Sequence, residues 1–181
     1  MISFDSSASV QIKFERRFLL QDLPAPLART GDHLQFFDNY LTNTRLLLRQ
    51  IRVPKTKQWT RKLIQRYPLA PPDLSQIAAT EIELNESEYE VLSVFEGNEL
   101  RYNRYFLKLE NDWAMMFDMY LNRELWNLIL GHVEFSTNEK MQAFAPPAFV
   151  AREITHDEFF SNPNLVDLNL SDIERRLQNA A

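Results

Sequence analysis

Hydrophobic and polar positions alternate along much of this chain. In IKFERRFLL, residues 12–20, Lys13, Glu15 and Arg17 take every second place, and Ile12, Phe14, Arg16, Phe18 and Leu20 take the places between. A period of two is that of a β-strand with one wet and one dry face. The same signal predicts strands near 33–41, 44–53, 58–66, 79–85, 100–109, 113–121, 127–136 and 149–155. Turn chemistry separates them: VPKTKQ at 53–58, a proline-rich loop YPLAPPDLSQ at 67–76, ENDW at 110–113 and LNREL at 121–125. So many strands with short connections imply an antiparallel sheet that is closed or strongly curved. Helices are few. Asn85-Glu86-Ser87-Glu88 reads as a capping box opening a helix to about Glu96, ended by Gly97. Thr155-His156-Asp157-Glu158 caps another turn, a helix fits near 138–144, and Ser171-Asp172-Ile173-Glu174 opens a C-terminal helix over 172–179. That last helix caps a barrel end or pairs with a second subunit. With no repeat and no low-complexity tract, the chain reads as a single domain, 1–181, with core strands over about 10–155.

The charges within the alternation are selective. ATEIELN at 79–85 sets Glu81 and Glu83 opposite Ile82 and Leu84. NLILGHVEFS sets His132 and Glu134 opposite Val133 and Phe135, and Arg45 and Arg49 share a face with Leu47 between them. Lys62, Arg104, Asp118 and Glu153 lie in WTRKLI, RYNRYF, MMFDMYL and AREIT. A charged face is ordinary where a sheet meets water; it also suits the wall of a polar tunnel. Two features favour the tunnel. The charged residues are mostly Glu and Arg, and Glu81-x-Glu83 puts like charges side by side, which is unfavourable without a cation between them. Carboxylates from several strands suit Mg²⁺ or Mn²⁺. Arg and Lys suit phosphate oxygens. Together they describe a site for a metal-bound polyphosphate.

Composition narrows the classes. The 181 residues are 45% hydrophobic and include 13 Phe, enough for a bulky core. Three scattered glycines exclude Gly-rich phosphate loops, and the absence of cysteine excludes disulfides, thiolate metal sites and Cys nucleophiles. There is no HExxH, and no GxSxG elbow. MISFDSSASVQ has no secretory pattern, and no apolar run is long enough to span a bilayer, so a cytoplasmic protein without membrane partners is expected. Net charge is −5, with eight Lys/Arg and no acid over 45–66, then eight acids and no base over 73–99. The basic block alone would permit nucleic acid; the acidic balance argues against it, and a basic hairpin paired with an acidic neighbour accounts for both. His33 and His156 read as surface or capping residues, and the tryptophans and methionines as packing.

The order of motifs resembles the CYTH family, the triphosphate tunnel metalloenzymes. Its Glu-x-Glu-x-Lys hallmark corresponds to Lys13-Phe14-Glu15-Arg16-Arg17, followed in order by DNYL (38–41), LLLR (46–49), WTRK (59–62), TEIEL (80–84), YNRY (102–105), FDMYL (117–121), GHVEF (131–135) and REIT (152–155). The resemblance implies an eight-stranded antiparallel β-barrel (mainly β, with a few short helices) around a charged tunnel. It implies Mg²⁺ or Mn²⁺ held by Glu15, Glu81, Glu83, Glu134, Asp118 and Glu153. It implies phosphate bound by Lys13, Arg17, Arg45, Arg49, Lys62 and Arg104, and chemistry carried by Glu83, Glu134 and Lys62. The expected function is metal-dependent hydrolysis of inorganic or nucleoside triphosphate, with nucleotide cyclisation ranked below it. The sequence departs from the pattern at Lys13, Leu47, Tyr102 and His132, which removes two carboxylates and two cations. Those departures motivate the alternative, a barrel that binds a phosphorylated ligand or other organic anion without turnover. Sheet edges and aromatic surface permit a homodimer.

Overall fold

The computed structural model describes residues 10–178. The N-terminal stretch read for a secretory pattern and position 179 of the expected C-terminal helix therefore lie, wholly or in part, outside the described residues. Eight antiparallel strands close into a barrel: β1 (Gln11–Leu20), β2 (Leu34–Leu41), β3 (Leu46–Val53), β4 (Gln58–Ala70), β5 (Asp73–Leu84), β6 (Gly97–Lys108), β7 (Ala114–Tyr120) and β8 (Ile129–Phe135). Their order round the barrel is β1-β5-β4-β3-β2-β6-β7-β8, and β8 pairs back onto β1. A short strand, β9 (Arg152–Glu153), adds to the last residues of β1, with Phe18 opposite Glu153. Four short helices decorate the barrel: α1 (Glu86–Leu92), α2 (Asn138–Ala143), α3 (Asn162–Leu165) and α4 (Leu170–Gln178). No helix among the described residues is long and apolar enough to cross a membrane.

Register decides what faces inward. Residues directly opposite one another on paired strands share a face. Lys13 is opposite Ile77, Glu15 opposite Glu134 and Arg17 opposite His132. Arg104 is opposite Asp118, Asp38 opposite Arg49, Arg49 opposite Lys62, and Lys62 opposite Glu83. The charged parity of each strand thus continues round the ring as one interior surface.

The apolar residues divide into two clusters. Inside the barrel, Leu19, Phe36, Leu100, Tyr102, Tyr120 and Leu130 pack with Phe160, Leu165 and Ile173, which come from the segment after β9 and from α4. That segment caps the end where β1 finishes. Outside, Phe18, Leu20, Tyr105, Phe117, Ile129 and Val133 on the outer faces of β1, β6, β7 and β8 are covered by Met141 and Phe144. The strands are dry on the outside here because α2 and its following loop lie over them.

Several local expectations change. The proline-rich 67–76 segment is not a loop; β4 runs to Ala70 and β5 starts at Asp73, with the turn at Pro71–Pro72. Pro68, which lacks an N–H, is absorbed by a register shift between Pro68 and Ala70. The Asn85 capping box forms as expected, but α1 ends at Leu92. Gly97 opens β6 instead of ending the helix, and its lack of a side chain lets β2 pass close by: a Cβ there would sit 2.6 Å from the Tyr40 carbonyl oxygen. The turn after β9 is a 3₁₀ helix, Glu158–Phe160, capped by Asp157 and not by Thr155. The strand expected over 149–155 shrinks to two residues, and α3 had no counterpart in the alternation.

Phe160 is fully buried at the junction of cap and barrel. Truncating it to alanine is expected to cost about 3–5 kcal/mol in urea unfolding. Val94→Ala, at a side chain 80% exposed, is expected to stay within about 0.5 kcal/mol of wild type.

Candidate functional site

At the middle of the barrel, buried charges hold one another. Arg49 donates from Nε and Nη2 to the two Asp38 carboxylate oxygens at 2.7 and 2.6 Å, and the Tyr102 hydroxyl donates to Asp38 Oδ2 at 2.8 Å. Arg104 donates from Nε and Nη2 to Asp118 at 2.6 and 2.7 Å. The Arg104 guanidinium lies 4.5 Å from the centre of the Phe36 ring, which stacks on Tyr102. Burial works against the charged form of both arginines, but Asp38 and Asp118 outweigh it and push their pKa values above the ordinary arginine range. Burial drives the Tyr102 hydroxyl well above its usual range, so it stays protonated and donates. Sequence reasoning put Arg49 and Arg104 among the phosphate ligands and Asp118 among the metal ligands, and marked Tyr102 as a departure at the site that loses a cation. The structure places all four inside the barrel, already engaged in this layer.

Between this layer and the cap lies a cavity of about 370 Å³. Arg17, Arg45, Arg66 and Arg104 line it, against the carboxyl groups of Glu15, Asp118 and Glu158. Arg17 donates from Nη1 to the Phe160 carbonyl at 3.1 Å, but its buried Nε–H has no hydrogen-bond partner; Glu15 Oε1 is 3.9 Å away. Arg66 donates to Glu15 Oε2 at 2.9 Å. The Arg45 guanidinium sits 4.7 Å over the Tyr67 ring and has no carboxylate partner among the described residues. His132 also lines the cavity. Burial, followed by the positive charges of Arg104 and Arg66, drives its pKa well below the ordinary imidazole value, so the ring is neutral. Arg66 was missed as a site residue. Its parity in WTRKLIQR, shared with Lys62, was the available signal.

The remaining expected residues divide. Lys13, Lys62, Glu81 and Glu134 meet toward the opposite end of the barrel. Lys62 Nζ donates to Glu81 Oε2 at 2.7 Å and Lys13 Nζ to Glu81 Oε1 at 3.2 Å, with Glu134 Oε2 3.9 Å from Lys13. Partial burial alone would raise the Glu81 pKa; Lys62 and Lys13 together lower it to about 2. Glu83 stands opposite Lys62 and is exposed. Glu153 is not with the interior acids. Arg16, on the outer face of β1, holds it through Nε and Nη2 at 2.9 and 2.6 Å, because β9 pairs alongside β1 on that flank.

Comparison with known proteins agrees with this architecture. Over 86 residues the chain is 31% identical to an inorganic triphosphatase of Nitrosomonas europaea, a match covering 47% of this chain and 56% of that protein. The crystal structure of the inorganic triphosphatase NE1496 superposes with a TM-score of 0.55 over 92% of this chain and 95% of its own, at 21% identity. A protein from Pyrococcus horikoshii OT3 gives a TM-score of 0.50 over 93% of this chain and 90% of its own, at 13% identity. No family model matches the chain. The chain has the CYTH tunnel fold.

The CYTH barrel would be expected to carry a carboxylate set for Mg²⁺ or Mn²⁺. The residues here do not fit that role. Among the described residues no three His, Asp or Glu side chains are close enough to share an ion. Glu15, Glu81, Asp118 and Glu153 each carry an Arg or Lys at 2.6–3.2 Å.

Two outcomes follow from these ion pairs. Asp118→Asn is expected to lose about 3–5 kcal/mol in urea unfolding, because it strands a buried guanidinium; Arg104→Met combined with Asp118→Leu is expected to lose much less. For Glu81, a folded pKa of about 2 against an ordinary 4.5 means that its stabilisation is complete above the ordinary value and fades as the pH falls toward 2. The melting temperature of wild type is therefore expected to exceed that of Glu81→Gln by a constant gap near neutrality, with the gap closing as acid approaches the folded pKa.

Proposed function

We propose that this barrel binds the phosphate chain of a triphosphate-bearing small molecule in its interior cavity and hydrolyses a phosphoanhydride bond of that chain. The observation that carries the reading is the set of four guanidinium groups, Arg17, Arg45, Arg66 and Arg104, lining one cavity, with Arg45 free of any carboxylate partner among the described residues. Phosphate oxygens accept charge-assisted hydrogen bonds from such groups. The cavity, at about 370 Å³, is of the size that small ligands occupy. The partial likeness to an inorganic triphosphatase supports the same class of substrate.

In this reading Arg17, Arg45 and Arg66 hold phosphate oxygens, using the planar fork of the guanidinium. Arg104, locked by Asp118, contributes a fixed positive potential. Negative charge that builds on the leaving phosphate is neutralised by these cations without reorganisation. Glu83 and Glu134 do not line this cavity; of the acids that do, Glu15 is held by Arg66 and Asp118 by Arg104, which leaves Glu158 to orient an attacking water. The neutral His132 offers a hydrogen bond and no charge.

A second reading, binding without turnover, is favoured by one observation: Lys13 and Lys62 engage the carboxylate of Glu81, an acid of the expected metal set. Phosphate release from tripolyphosphate and nucleoside triphosphates, assayed with Mg²⁺, with Mn²⁺ and with chelator, separates the two. Hydrolysis is expected, with Arg17→Ala raising KM about tenfold or more and Glu158→Ala lowering kcat. Thermal stabilisation by tripolyphosphate with no product in any buffer selects the second reading, and absence of both effects rejects the pair.

A further inference from the structure

We infer that the ammonium groups of Lys13 and Lys62 stand in the place of a divalent cation, so that this barrel is charge-complete without a metal ion and does not take one up. The inference rests on the proposed function for its meaning, since it concerns how the same interior meets a phosphate chain. Its evidence is separate.

Both oxygens of Glu81 are in use, Oε1 by Lys13 and Oε2 by Lys62. The Lys13 ammonium also stands 3.9 Å from Glu134, so it lies between the carboxylates of two strands, β5 and β8. A hard divalent ion bound by protein oxygens needs several at about 2.0–2.6 Å, converging on one point. Here that point is occupied by a cation built into the chain. An ion entering it would have to break both Glu81 contacts and stand against the Lys13 charge. Of the neighbouring acids, Glu15 is held by Arg66 at 2.9 Å and Asp118 by Arg104 at 2.6 Å, while Glu83 stands exposed, and no three such side chains among the described residues converge on one point.

The substitution also changes what the site offers a ligand. An ammonium carries three donors, and Lys62 uses one of them on Glu81. Lys13 and Lys62 are partly open to solvent, with side chains 24% and 30% exposed. A phosphate chain that extends along β1 from the cavity at Glu15 toward Lys13 meets these donors directly. The chain thus exchanges a bound ion, whose occupancy depends on its concentration, for two tethered charges of permanent occupancy.

The deciding measurement is titration of the free wild-type chain with Mn²⁺, followed by electron paramagnetic resonance and calorimetry. No stoichiometric binding is expected up to about 1 mM, and Lys13→Glu is expected to tighten Mn²⁺ affinity by about tenfold or more. Lys13→Gln is expected to move it in the same direction should the charge reversal prevent folding. Stoichiometric Mn²⁺ on the wild-type chain, reduced by Glu81→Gln or Glu134→Gln, overturns the inference. In parallel, tripolyphosphate is expected to raise the melting temperature equally well in EDTA, and less in Lys62→Ala. A shift that requires Mn²⁺ also overturns the inference. No shift in either buffer overturns the function proposed above, while the Mn²⁺ titration on the free chain still decides the present point.

Discussion

Closing a sheet whose inward face is charged creates one dominant constraint: the interior charges must satisfy one another. The Arg49–Asp38–Tyr102 group and the Arg104–Asp118 pair meet it with two-point contacts in a layer across the barrel. A single-point contact would return less of the desolvation cost of each ion. The forked geometry also fixes the guanidinium planes, and stacking on Phe36 and Tyr102 leaves them little freedom. A rigid charged layer of this kind fixes the charges that border the cavity.

The same constraint explains why the barrel carries a second hydrophobic core on its outside. With polar groups committed to the interior, β1, β6, β7 and β8 bury their other faces under α2 and the loop that follows it. The cap at the end of β1 is tied down electrostatically as well. Asp157 accepts from Arg152 at 3.0 Å and from Arg176 at 2.6 Å, joining the segment after β9 to α4. Arg16 bridges β1 to β9 through Glu153 while lying over the Phe18 and Phe144 rings. The outer charges therefore close the cavity, and the inner charges line it.

Departures from the family pattern take on distinct meanings in this setting. Tyr102, where a lysine is expected, completes the Asp38 hydrogen bonds, so it belongs to the supporting layer. His132, where a glutamate is expected, is a neutral imidazole facing arginines, which lowers the negative charge of the cavity wall. Lys13 replaces an acid at the far end and neutralises those that remain. Lys13 and His132 move the interior toward fewer free carboxylates, while Tyr102 gives up a cation and supplies a hydrogen bond to the supporting layer.

Most strands, and the parity of the charges on β1, β5, β7 and β8, were legible in the sequence, because alternation is a local property set by the pleat of the backbone. IKFERRFLL and ATEIELN state their two faces without reference to any partner. The capping box at Asn85 was legible for the same reason. The proline-rich 67–76 segment misled, since the pairing of β4 with β5 overrode its local turn chemistry. Which charges would neutralise which was beyond the sequence. Arg104 and Asp118 share a face across the β6–β7 hairpin, yet nothing local distinguishes a pair that locks together from one left free for a ligand. Arg17 is left with an unsatisfied donor, and Glu153 turns outward to Arg16, only because of where distant strands and the cap come to rest. Local chemistry determined the inventory of an ionic interior; closure and register, which bring together residues up to more than a hundred positions apart, decided how it was spent.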